Sequence, residues 1–138
     1  MTDKSDIELG DMPAEELRKC GHQLIDWVAD YMSDLEKRPV FPLVQPGVLK
    51  SSLPSSCPES GEPMRQILDD VDRFIMPGLV HWNHPSFFAY FTSSGSGPGI
   101  LAELICSALN VNTMLWHSSP AATELEEITL AWLREMTN

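Results

Sequence analysis

Basic residues are scarce in this chain. Nine lysines and arginines stand against twenty aspartates and glutamates, a formal net charge of −11 over 138 residues. Nucleic acid needs a basic surface to meet its phosphates, so no nucleic-acid partner is expected. The same deficit argues against anionic membrane surfaces. No stretch reaches the roughly 18 consecutive apolar residues of a spanning helix, so no membrane partner is expected from that side either. The opening MTDKSDIELGDM is polar and acidic and lacks the basic start and apolar stretch of a signal peptide. Cysteine is sparse and odd in number: Cys20, Cys57 and Cys106, with no CxxC pair. That excludes a disulfide framework and a structural zinc site, and a reducing, cytoplasmic setting is the simplest expectation. No internal repeat occurs.

What is present is a 43% hydrophobic content, enough for one domain with a core and too short a chain for a two-domain enzyme. Asp11 is placed to cap a helix that opens at Met12-Pro13-Ala14-Glu15-Glu16, with proline and acids where the first turn favours them. Leu17, Leu24, Ile25, Val28, Tyr31, Met32 and Leu35 then recur at helical spacing. Lys37 and Arg38 suit the helix C-terminus, and Pro39 stops it. Residues 39 to 63 hold six prolines, a density expected to exclude any regular element. Within them Gln45-Pro46-Gly47-Val48 reads as a type II turn. Val40, Phe41, Leu43, Val44, Val48, Leu49 and Leu53 make the segment too apolar for a free linker, so it reads as an extended arm lying on a surface.

A second helix is expected from about Pro63 to Met76, ended by Pro77-Gly78, a third from near Pro98, and a fourth opening at Ser119-Pro120. The chain is therefore mainly α, about four helices plus an extended proline-rich arm. The apolar stripe of the first helix and the arm after it have two possible partners: the other helices of the same chain, or a second copy in an intertwined dimer.

Residues 81 to 126, HWNHPSFFAYFTSSGSGPGILAELICSALNVNTMLWHSSPAATELE, carry the chemistry. Trp82, Phe87, Phe88, Tyr90 and Phe91 form an aromatic cluster in sequence. Thr92 to Gly97 form a hydroxyl-rich loop running into a helix N-terminus, where backbone amides suit an anion. Aromatic walls beside a few polar groups suit a small-ligand pocket. The same pattern also fits a core aromatic cluster beside an ordinary loop. His81 and His84 are spaced as a metal pair, but no third ligand lies near them in sequence, so no metal is expected.

HPSFFAYF, a Ser/Gly loop and SPAATELE before a Trp-Leu helix resemble the group II decarboxylases, whose best-known members are the aromatic-L-amino-acid decarboxylases. QPGVLKSSLP and IMPGLVHWNHP extend the likeness over roughly residues 12 to 136. The resemblance implies the N-terminal part of a type I, aspartate aminotransferase-like α/β fold and pyridoxal 5'-phosphate as cofactor. In that family the cofactor forms a Schiff base with a lysine and takes up the electrons left by departing CO2. It implies three parts: a flexible N-terminus (1–11), an N-terminal helical dimerisation arm (12–86), and the start of the cofactor-binding domain (87–138).

Carried over by position, the resemblance places Trp82, Tyr90 and Phe91 beside the aromatic side chain of an L-amino-acid substrate. Thr92 and Ser93 match the loop next to the ligand, and Asn112 and Met114 fall where a partner subunit of a homodimer reaches into the pocket. Ser119, Pro120, Thr123 and Glu124 match SPxxTE, with scaffold roles of cap, helix start and first-turn acid. The family's aromatic-substrate members have proline where Thr92 stands and an aromatic residue where Met114 stands, so the choice of substrate is the least determined part.

The lysines are Lys4, Lys19, Lys37 and Lys50, and none lies in the family's His-Asn-x-x-Lys setting. The resemblance therefore implies no catalytic and no cofactor-binding residue in this chain, which by itself is expected to be inactive as an N-terminal fragment of the enzyme. The alternative is a stand-alone, non-catalytic helical dimerisation module.

Overall fold

Pro13 opens the first helix. The computed structural model describes residues 12–91, 93 and 95–137, and the helix α1 runs from Ala14 to Ser33. Pro13 is its N-cap, and its carbonyl accepts the Leu17 amide at 2.8 Å. The expected cap, Asp11, and the expected flexible segment 1–11 lie outside the described residues. Glu15 and Glu16 occupy the first turn, where the helix dipole favours acids. The helix ends earlier than its apolar spacing implies. Ser33 turns its hydroxyl back on the Asp30 carbonyl, and Leu35–Lys37 tighten into a 3-10 turn in which Lys37 pairs with Asp34. Lys37 and Arg38 therefore lie beyond α1 rather than in its last turn.

The proline-rich arm contains one regular piece, against expectation. Val48–Ser52 form a short helix, α2. Pro46 and Pro54 bracket this proline-free stretch, which leaves one helical turn unobstructed. The type II turn before it is present as expected: Val48 N–H donates to Gln45 O at 3.2 Å, and Gly47 holds φ 92°.

The helix α3, Met64–Asp70, continues through a π turn at Val71–Ile75 and a 3-10 turn at Met76–Gly78. A π turn adds a residue to the helical ladder and re-aims the side chains that follow. Here it carries Asp72, whose two carboxylate oxygens each accept the Trp27 indole N–H of α1 at 3.1 Å. α1 and α3 also pack together.

The chain divides into two compact units, Met1–Thr92 and Ser93–Asn138. The second unit holds α4, Gly97–Leu109, and α5, Pro120–Thr137. Ser96 caps α4 by accepting the Gly99 amide at 3.2 Å, and Asn110 closes it in the left-handed region at φ 47°. All regular structure among the described residues is helical, as the sequence implies.

Little of this apolar content is covered. Among the described residues, Cys20, Leu35, Met76 and Phe87 are the buried hydrophobic side chains, while Leu101, Leu104, Ile105 and Leu109 of α4 and Leu125, Trp132 and Leu133 of α5 are exposed. The three cysteines are free thiols.

Candidate functional site

The site begins with a histidine that the sequence did not single out as structural. His81 is 3% exposed, the most buried polar residue described. Its backbone N–H donates to Val40 O of the arm at 3.1 Å, and its carbonyl accepts the His84 amide at 3.0 Å. Its ring nitrogen Nδ1 lies 3.0 Å from the Tyr31 hydroxyl of α1. The Arg38 guanidinium sits over the Tyr31 ring at 5.1 Å, and Trp27 stacks on Tyr31 from the next turn of the helix. Burial, then the positive Arg38 and the neighbouring His84, holds the His81 imidazole below its ordinary pKa. The neutral ring is the favoured form. With its hydrogen on Nε2, it leaves Nδ1 to accept from the phenol. His84 turns its own Nδ1 to the Ser86 amide at 2.9 Å. No cluster of metal-ligating side chains occurs among the described residues.

From this anchor the chain turns at Trp82 and enters the aromatic segment. Phe87, 7% exposed, is the hub: Trp82 lies 5.1 Å from it, Phe41 of the arm 5.7 Å and Tyr90 6.4 Å, between ring centroids. Trp82 and Tyr90 stack on each other at 5.7 Å, with their planes 14° apart. Such offset ring pairs contribute about 0.5–1.5 kcal/mol beyond area burial. The aromatic cluster differs from the one read along the sequence. Phe88 and Phe91 point into solvent, and Phe41, forty-six residues upstream of Phe87 in the arm, takes their place. The signal for Phe41 was its position in an arm too apolar to lie free.

Tyr90 adopts φ 59°, in the left-handed region. A bulky residue there is a genuine outlier, and such strain concentrates at functional positions. The conformation separates the two neighbouring rings, with Tyr90 against Trp82 and Phe91 fully exposed. Thr92, the next candidate residue, lies outside the described residues.

In the second unit Ser93 is exposed. Asn112 accepts the Met114 amide on its side-chain oxygen at 2.9 Å, a local turn that fixes the backbone, and Met114 projects outward at 77% exposure. Ser118 Oγ donates to the Asn112 carbonyl at 2.9 Å. Ser119 is buried, and its carbonyl accepts both the backbone amide and the hydroxyl of Thr123 at 3.1 Å. Glu124 is not a first-turn acid as expected. It lies one turn into α5, where the Trp116 indole N–H reaches its carboxylate at 3.1 Å.

The described residues do not make a cofactor cradle. A lysine that forms a Schiff base needs an enclosed setting. Lys19, Lys37 and Lys50 are all exposed, with Lys37 paired to Asp34, and Lys4 lies outside the described residues.

Residues 46–138 match the model of the pyridoxal-dependent decarboxylase conserved domain. The chain belongs to the pyridoxal-dependent decarboxylase family. The aromatic-L-amino-acid decarboxylase of Cavia porcellus is 46% identical over 125 residues, which are 91% of this chain and 26% of the relative. The crystal structure of Rhodiola rosea 4-hydroxyphenylacetaldehyde synthase is 46% identical with a TM-score of 0.87, over 92% of this chain and 27% of that one. Catharanthus roseus tryptophan decarboxylase in complex with L-tryptophan is 40% identical with a TM-score of 0.84, over 90% and 27% respectively. The chain thus spans about a quarter of the length of the decarboxylase-family relatives that it matches.

Proposed function

We propose that the protein carrying this chain is a pyridoxal-phosphate-dependent carboxy-lyase that releases CO2 from an aromatic L-amino acid, and that this chain contributes the aromatic wall of the substrate pocket. Family membership and the named relatives support the chemistry. The observation that carries the pocket assignment is the Trp82–Tyr90 stack, with Tyr90 held in a strained backbone conformation. When bound, pyridoxal phosphate supplies the electron sink for decarboxylation. The residues of this chain bind and orient. Trp82 and Tyr90 offer flat apolar faces to a substrate ring, and exposed Phe91 offers a third. Thr92 and Ser93 supply hydroxyls next to the ligand. Asn112 and Met114 contribute from the partner subunit of a homodimer.

The homodimer forms through the N-terminal helices. Exposed Leu17, Leu24 and Ile25 along α1 support this, since apolar patches mark interfaces. Free cysteines and the acidic balance support a cytoplasmic enzyme. The chain alone, without a cofactor cradle, is inactive. The test is an assay of the full-length, cofactor-loaded protein with L-tryptophan, L-tyrosine and L-phenylalanine. Amine and CO2 are expected, and a loaded protein that yields no product from any amino acid would refute the assignment. The relationship to 4-hydroxyphenylacetaldehyde synthase favours one second reading, in which the product is an aldehyde, and chromatography of the same assay separates the two. A stand-alone dimerisation module is favoured by the uncovered apolar faces of α1, α4 and α5. Sedimentation of the 138-residue chain as a monomer would remove it.

A further inference from the structure

We infer that Tyr31 and His81 form a clasp that positions the aromatic wall, with His81 a positioning residue for Trp82. The inference rests on the assignment of Trp82 to the pocket wall. His81 is the residue immediately before Trp82 and is held at three points: its N–H on Val40 O, its carbonyl on the His84 amide, and its ring on the Tyr31 hydroxyl. These three contacts, two through the backbone and one through the ring, tie α1, the arm and the turn after His81 to one buried residue. Trp82 itself is half exposed, and its ring packs on Phe87 and Tyr90. The position of its backbone is therefore set by its neighbour.

The clasp works with a neutral imidazole. An imidazolium at His81 places a second cation beside the half-buried Arg38, whose Nε is already buried without an acceptor. The groups facing the ring are Tyr31 from α1, Arg38 from the segment after it, and His84 from the following turn, and none of these is an anion. Asp72 is bonded to the Trp27 indole, which in turn stacks on the Tyr31 ring. Protonation turns Nδ1 from acceptor to donor, so the Tyr31 hydroxyl must reverse its hydrogen bond, and it places the charge at a buried site beside the Arg38 cation. The wall is set by a group that titrates outside the pocket.

The test uses the full-length protein labelled with fluorotryptophan, with the Trp82 resonance assigned by Trp82→Phe. Three proteins are compared: wild type, Tyr31→Phe and His81→Asn. Asparagine keeps an acceptor near the Nδ1 position and does not titrate. In the wild type the Trp82 resonance shifts as pH falls through the titration of His81. In Tyr31→Phe it is displaced at every pH, and the KM for the aromatic substrate rises up to about fivefold, the equivalent of one neutral hydrogen bond, with kcat little changed. His81→Asn restores the wild-type position and abolishes the pH response. A Trp82 resonance that ignores both variants and pH overturns the inference, whatever the KM. A resonance that moves as described, in a protein whose Trp82→Ala variant keeps its KM, supports the clasp and overturns only the pocket assignment.

Discussion

Trp27 donates its indole N–H to both carboxylate oxygens of Asp72, forty-five residues further on, at 3.1 Å each. The π turn at Val71–Ile75 supplies the acceptor, and the stacking of Trp27 on Tyr31 fixes the donor. Trp27→Phe keeps an aromatic ring beside Tyr31 but removes the donor and part of the indole's packing area. It is expected to lower stability by at least about 1 kcal/mol, the net value of one hydrogen bond, read as a shift of the urea midpoint at unchanged slope.

Stability is expected to depend on pH through His81. Its folded pKa lies below the ordinary value of 6.5, so the folded state binds fewer protons than the unfolded chain. The contribution is complete above pH 6.5 and is lost as pH falls through the lower, folded pKa. Urea titrations at pH 7.5 and pH 5.5 are expected to show lower stability at the acidic value. In His81→Asn most of that difference disappears, and an undiminished difference would place its source elsewhere.

Gly47 holds φ 92° at the third position of its turn, and a Cβ there meets nothing within 4 Å. Gly47→Ala therefore tests backbone conformation without any steric contribution. A destabilisation of about 1 kcal/mol is expected by thermal or urea unfolding.

Ser96→Ala removes the side chain that accepts the Gly99 amide at the start of α4. The cost is expected to be about 1 kcal/mol, typical of a lost N-cap, with hydrogen exchange at the Gly99 amide increased. Ser96→Asp, which restores an acceptor and adds a favourable charge at the helix N-terminus, is expected to recover it.

The helices were legible in the sequence because each is written locally. Pro98 and Pro120 open α4 and α5, Gly47 dictates its own turn, and apolar spacing marks α1 and α3. The boundaries that differed turn on side-chain bonds that periodicity does not encode, such as Ser33 on Asp30 and Lys37 on Asp34. Of the candidate site, the Trp82–Tyr90 neighbourhood was legible as a run of aromatics. The contributions of Phe41 and Tyr31 were not, because they come from elements about 40 to 50 residues away and depend on tertiary packing. The burial of His81 had only a weak signal, a histidine enclosed by Val80 and Trp82.

The left-handed backbone at Tyr90 has an evolutionary consequence. A glycine there relieves about 1–2 kcal/mol of steric cost and gives up a ring stack of similar value, so the exchange is nearly neutral for folding. Selection acting on stability alone has little reason to retain tyrosine at this position. Drift toward glycine or asparagine is open to any lineage that no longer uses the ring, so the residue at position 90 serves as a marker of whether the aromatic wall is still under selection.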